Sequence, residues 1–146
     1  INVKGIESIV DTWARQWWVP DVVCIDYADI LAPMNGAAET RDQINATWKG
    51  LRALSQQLHC LVVTATQANA ASYESDSLDT SNFSEDKRKF AHVTGMVGIN
   101  QTAGEKEQSI QRLNWLVLRE SEFSVKKHVH VVGCLPLANP AVHSTF

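Results

Sequence analysis

No stretch of this chain carries the G-x-x-x-x-G-K-[ST] pattern, in which backbone N–H groups and a lysine cradle phosphates. G-x-S-x-G and H-E-x-x-H are absent too, which removes the strained serine elbow and the helical zinc-protease site. Cysteine is scarce: Cys24, Cys60 and Cys134 lie far apart. An odd count without close pairs argues against a disulfide framework or a zinc site. It points to buried free thiols in a reducing compartment, the cytoplasm by default. No apolar run approaches the roughly 18 residues of a membrane span, so no membrane partner is expected. Positive charge is not in excess either. A formal net charge of -3 excludes a strongly basic nucleic-acid coat while leaving room for a local basic patch.

What is present describes an ordinary soluble domain. The 146 residues, 45% hydrophobic and 20% charged, are expected to form a single domain over 1–146, large enough to bury a real core. The first residue is Ile1 rather than Met, and a helical pattern begins almost at once. The expectation is therefore a piece of a longer protein, truncated at its N-terminal side.

Ile6, Ile9, Val10, Trp13 and Trp17 recur at helical spacing and make one face, until Pro20 ends the element. "VVCI" (22–25) is a short continuous apolar run, the pattern of a strand covered on both faces. A turn-rich loop follows, then a helix over about 39–58 with Ile44, Trp48, Leu51, Leu54 and Leu58 on one stripe. "CLVVTATQ" (60–67) is a second continuous strand. After it, residues 68–86 are rich in Ser, Asp and Asn and are expected to be mobile. A short helix over 86–92 leads to a third strand in "VTGMVGINQ" (93–101), and "AGEKEQSIQ" (103–111) reads as a polar turn. "RLNWLVLRE" and "KKHVHVVGCL" then read as a hairpin, and the tail from 136 shows no period. This order is that of an α/β domain with a mostly parallel sheet flanked by helices and a more antiparallel edge. The tryptophans, mostly on apolar stripes, are expected in the core, with Trp18 beside Trp17 a possible subunit contact.

In such sheets ligands sit at the carboxyl ends of the strands. The residues there are Asp26, Gln67, Asn100 and Arg119. Asp26 is suited to hold magnesium directly or through water, or else merely caps a loop. Gln67 can report the loss of a phosphate without being a base, or be an exposed loop amide. Arg119 can clamp a transferred phosphate, or pair with Glu120 or Glu122. Lys87, Arg88 and Lys89 form the densest basic cluster and can meet a phosphate backbone or simply line a solvated helix face. His128 and His130 alternate on one strand, with no third ligand at a convincing spacing.

Together, "VVCIDYADIL", the helix containing "LRALSQQLHC" and "LVVTATQAN" closely resemble the core of DnaB-type replicative helicases, which has a RecA-like ATPase fold. "SEDKRKFAHVTGMVGINQT" looks like the family's linker into its next strand, and "VLRESEF" is similar to its Lys-Asn-Arg turn. The likeness covers about 21–132. It implies an ATP- and Mg²⁺-dependent DNA helicase in which Asp26 is the Walker B acid on Mg²⁺, with Tyr27 beside it at the nucleotide. Gln67 would link the γ-phosphate state to the DNA-facing loops, and Arg119 would be the arginine finger offered to a neighbouring subunit. Residues 84–89, with Lys87, Arg88 and Lys89, would face single-stranded DNA in a hexameric ring, with a primase or loader as a further partner. Val117, Leu118 and His92 depart from the family's pattern. The missing phosphate loop makes the chain the C-terminal portion of the ATPase core, inactive by itself.

Two other readings stand beside this one. "DILAPMNG" resembles the phosphoacceptor loop of response-regulator receivers, with Asp29 as the phosphorylated acid and "VVTA" as the next strand. The altered turn before Arg119 also suits a non-catalytic RecA-like domain kept for oligomer contacts or DNA loading.

Overall fold

The computed structural model of the chain describes residues 1–34, 39–68, 77–79 and 87–145. Most of the polar stretch 68–86, with its expected mobility, and residues 84–86 of the expected DNA-facing segment lie outside the described residues. The chain divides into two compact units, Ile1–Gln67 and Ala68–Phe146.

In the first unit the order is α1 (Val3–Ala14), β1 (Val22–Ile25), a 3-10 turn (Ala28–Ile30), α2 (Thr40–Leu58) and β2 (Leu61–Thr64). Asn2 caps α1, its side-chain oxygen accepting from the Gly5 N–H at 3.0 Å. Val3 and Val10, two helical turns apart, are buried on one face. The apolar stripe does not run on to Trp17 as its spacing suggests. The helix stops after Ala14, and the N–H groups of Trp17 and Trp18 close on the carbonyls of Ala14 and Trp13. Trp17 takes a left-handed φ of 65° and stands 96% exposed. Trp13, Trp18 and Trp115 are also exposed, so of the five tryptophans only Trp48 is core.

The α2 stripe is sound. Thr47, Trp48, Leu51 and Leu54 are buried, and His59 in the left-handed region ends the helix so that the Cys60 N–H can reach the Ser55 carbonyl. β1 and β2 pair in parallel, Val22 opposite Leu61 through Ile25 opposite Thr64. Only alternate residues of the pair are sheltered. Val22, Cys24, Leu61 and Val63 are exposed, where the continuous apolar runs suggested cover on both faces. Cys24 is accordingly an exposed thiol, while Cys60 is buried.

The second unit holds α3 (Lys89–His92), β3 (Gly95–Asn100), α4 (Ala103–Glu107), β4 (Ile110–Leu118), β5 (Val129–Cys134), a 3-10 turn (Leu135–Leu137) and β6 (Asn139–Thr145). Its four strands form one sheet in the order β3-β4-β5-β6, every pairing antiparallel. The expected β4–β5 hairpin is there. β3 does not extend the parallel pair, because a short connection through α4 returns the chain against it as β4. α4 replaces the expected polar turn: Thr102 and Glu105 make a capping box, each bonding the other's backbone N–H. β6 arises from the tail that showed no period.

Two asparagines hold this unit's interior. Asn100 Nδ2 donates to Asn114 Oδ1 at 2.8 Å and to the Arg112 carbonyl at 3.1 Å. Asn100 Oδ1 accepts from the Leu78 N–H at 2.5 Å, and Asn114 Nδ2 donates to the Leu78 and Val125 carbonyls. Both backbone groups of Leu78 are thereby satisfied by buried amides. Gly98 makes this possible, since a Cβ there would stand 2.6 Å from Asn114 Oδ1. No helix among the described residues is long and apolar enough to cross a membrane.

Candidate functional site

Because β1 and β2 run parallel and are hydrogen-bonded neighbours, the residues that follow them leave the same end of the pair. Asp26 comes directly after Ile25, and Gln67 three residues after Thr64. The exposed–sheltered alternation of each strand continues past its last ladder residue, leaving Asp26 and Gln67 exposed with Ala65 between them on the β2 side. The peptide joining Asp26 to Tyr27 is cis, and Tyr27 is half-buried.

The turn after β1 is bound to the segment after β2 by side chains. The Thr64 hydroxyl donates to the Ile25 carbonyl and accepts from the Ala28 N–H, both at 2.9 Å. Ala28 is buried, so this hydroxyl is the partner its amide needs. Two residues on, the Thr66 hydroxyl donates to Asp29 Oδ2 at 2.6 Å, while Asp29 Oδ1 accepts from the indole N–H of Trp48 at 2.9 Å. The two acids of this turn therefore differ in kind. Asp29 is half-buried with both oxygens engaged. Asp26 is exposed, and none of the described residues bonds to its carboxylate. A hard, unengaged carboxylate on a rigid strand end fits Mg²⁺, which takes one or two carboxylates and completes its shell with water and phosphate oxygens. Groups of three or more His, Cys, Asp or Glu placed to hold a metal by themselves are absent among the described residues. The Asp29 geometry leaves the phosphoacceptor reading without an unengaged oxygen.

In the second unit Arg119 follows β4, and its backbone N–H donates to the Thr94 carbonyl. Its guanidinium caps the end of α3: Nε donates to the Val93 carbonyl at 2.7 Å, and Nη2 to those of Phe90 and Ala91 at 3.0 Å. No ion pair to Glu120 or Glu122 forms among the described residues, and Nη1 makes no bond to any of them. Gly95 lies opposite Leu118 and Asn100 opposite Arg112, so Asn100 and Arg119 stand at opposite ends of this sheet. The expectation that both mark one rim does not hold, because the β3–β4 pairing is antiparallel. Asn100 is instead part of the buried amide pair. Arg119 likewise leaves a different sheet from Asp26 and Gln67.

Of the basic cluster, Lys87 and Arg88 are exposed, but Lys89 is 8% exposed and faces the interior of its unit. A lone sequence run cannot show this, since three consecutive residues around a helix start point in three directions. His128 bonds to Ser77 through Nε2 at 2.9 Å, and His130 is exposed. Asp29, Thr64 and Thr66 are the functional-site residues that strand-end reasoning passed over. The signal was the alternation of threonines in "TAT" at the end of an apolar run.

No family model matches the chain. No curated protein matches it by sequence. Among solved structures it is similar to the ATPase domain of a DnaB-like helicase, at a TM-score of 0.79 and 17% identity, over 92% of this chain and 49% of that one. It is also similar to "The Structure Of A DnaB-Like Replicative Helicase And Its Interactions With Primase", at a TM-score of 0.75 and 16% identity, over 91% of this chain and 34% of that one. The chain thus spans about half the length of the first and a third of the second. At these identities the likeness is one of fold: over the part it spans, this chain is built like the ATPase domains of DnaB-like helicases.

Proposed function

We propose that the chain is the C-terminal portion of a RecA-like, DnaB-type motor domain that uses ATP to move along single-stranded DNA. The observation that carries this reading is the parallel β1–β2 pair, from one end of which an exposed carboxylate and an exposed amide emerge. With strands about 4.8 Å apart and a rise of about 3.3 Å per residue, the two Cα atoms would lie about 8 Å apart. That leaves room for a metal-bound phosphate between the side chains. When bound, Mg²⁺ neutralises charge on the phosphates. Asp26 would hold it in place, Tyr27 would flank the nucleotide, and Gln67 would bond the terminal phosphate and report its loss.

Arg119 would serve as the finger to a neighbouring subunit's ATP in a ring, which the family resemblance makes a hexamer. A guanidinium clamped by three carbonyls along one side and open at Nη1 is a preorganised donor, as stabilisation of a transition state requires. The same clamp also favours a second reading, a non-catalytic domain in which Arg119 only caps α3. Lys87 and Arg88 would contact the DNA backbone without reading sequence, with Lys89 buried beneath them. The phosphate-cradling loop, and contacts to a primase or loader, would come from the rest of the longer protein.

The test is DNA-stimulated ATP hydrolysis by the full-length protein. Asp26→Asn and Gln67→Ala should each lower kcat by about 100-fold or more, and Arg119→Ala by a comparable factor. Unchanged turnover in Asp26→Asn would refute the motor. Loss in Asp26→Asn with full activity in Arg119→Ala would confine Arg119 to its capping role.

A further inference from the structure

The motor reading leaves Asp29 without a task, yet few side chains in the first unit are so firmly placed. Its Oδ1 is fixed by the indole of Trp48, which is 4% exposed in the middle of α2 and cannot move without disturbing the core. Its Oδ2 takes the proton of the Thr66 hydroxyl at 2.6 Å, the short distance of an O–H···O⁻ bond. Ladder pairing between β1 and β2 ends at Ile25 and Thr64. Past that point the direction of the β2 segment is no longer set by main-chain bonds to β1. The side-chain bond from Thr66 to Asp29 holds it instead, one residue before Gln67.

We propose that Asp29 is a positioning residue that fixes the departure angle of Gln67 through Thr66. This inference rests on the motor reading and goes beyond it by naming how that amide is aimed. Asp29 lies three residues past Asp26 in the same turn, and the Thr64 hydroxyl ties that turn to the end of β2. Carboxylate and amide are thus registered against each other through two threonine hydroxyls rather than through sheet pairing. A side chain that must meet a phosphate within hydrogen-bond distance gains most from such registration, because an error of about 1 Å can cost about 100-fold in rate.

The decisive experiment is steady-state ATP hydrolysis by the full-length protein carrying Thr66→Val, Thr66→Ser, Gln67→Ala or Asp26→Asn. Thr66→Val keeps the branched shape but loses the hydroxyl. It should lower kcat by about 10-fold or more while KM for ATP stays within about twofold, since nucleotide binding through Asp26 is untouched. Thr66→Ser should restore kcat to within about threefold of wild type. If Gln67→Ala lowers kcat and Thr66→Val does not, the positioning role is overturned and the motor reading stands. Equal losses in Thr66→Val and Thr66→Ser, with KM rising in step, would show a merely structural residue and overturn it as well. If Asp26→Asn and Gln67→Ala are both harmless, the motor reading itself fails. Should Thr66→Val not fold, Asp29→Asn decides by the same split of kcat against KM, since it keeps the side-chain shape and replaces the charge-assisted bond with a neutral one.

Discussion

Thr64→Val removes one oxygen atom from the turn that carries Asp26 and changes little else, since valine keeps the branched shape favoured in a strand. The oxygen has two partners. It accepts from the Ala28 N–H and donates to the Ile25 carbonyl, each at 2.9 Å. Ala28 is 1% exposed, so without Thr64 its amide has neither a protein acceptor nor ready access to water. An unsatisfied buried backbone donor costs about 1–3 kcal/mol, and the Ile25 carbonyl loses a bond worth up to about 1 kcal/mol. A slightly better-buried methyl group offsets part of this, leaving an expected loss of about 2 kcal/mol, or roughly 30-fold in the folded-to-unfolded ratio. Urea denaturation of the 146-residue chain, with the unfolding of the first unit followed by the fluorescence of Trp48, reads this directly. The midpoint should fall while the slope against urea is unchanged. Thr64→Ser should recover most of the loss. A Thr64→Val chain within about 0.5 kcal/mol of wild type would refute the claim that this hydroxyl holds the Asp26 turn.

Asn114→Leu, close to asparagine in volume, orphans the Leu78 and Val125 carbonyls and one Nδ2 donor bond of Asn100. It should destabilise the second unit by about 3 kcal/mol and raise the hydrogen-exchange rate of the Leu78 amide. Arg119→Lys cannot reproduce a fork on three carbonyls, so the amides of α3 should lose exchange protection while the β4–β5 amides keep theirs. The Thr102 N–H, and after it the Arg112 guanidinium, hold the Glu105 carboxyl below its ordinary value of 4.5. A carboxylate with a lowered folded value contributes stability above about 4.5 and loses it as the pH falls through that lowered value. Glu105→Gln should therefore flatten the acid limb of the stability profile below about pH 4.5 and leave its slope at neutral pH alone. A thiol reagent should modify Cys24 in the native chain and Cys60 only on unfolding, so equal native rates would contradict the exposed face of β1.

Much of the first unit was legible because its signals are local and redundant. α2 has a stripe of apolar residues and a clear stop, and β1 and β2 are β-branched runs joined by a helix, which imposes parallel pairing. The common rim of Asp26 and Gln67 follows from that connection alone. The second unit was less legible because its partners are chosen by turns. β3 was read as a parallel strand since nothing in "VTGMVGINQ" distinguishes parallel from antiparallel pairing. The difference lies in the short α4 connection, whose capping-box spacing, Thr102 to Glu105, was present but passed over. β6 has no alternation to betray it, because its side chains are exposed up to His143. Trp17 was misplaced for a related reason: helical spacing does not say where a helix stops, and a left-handed residue at its end turned the indole outward.

The central claim is that Asp26 and Gln67 leave one end of a parallel pair to face the two sides of a metal-bound phosphate. A structure of the full-length protein with Mg²⁺ and a non-hydrolysable ATP analogue measures this directly. It should place the metal within about 4–5 Å of the Asp26 carboxylate, bound directly or through one water, and the terminal phosphate within hydrogen-bond reach of the Gln67 amide. A nucleotide seated elsewhere, with Asp26 and Gln67 both in solvent, would contradict it.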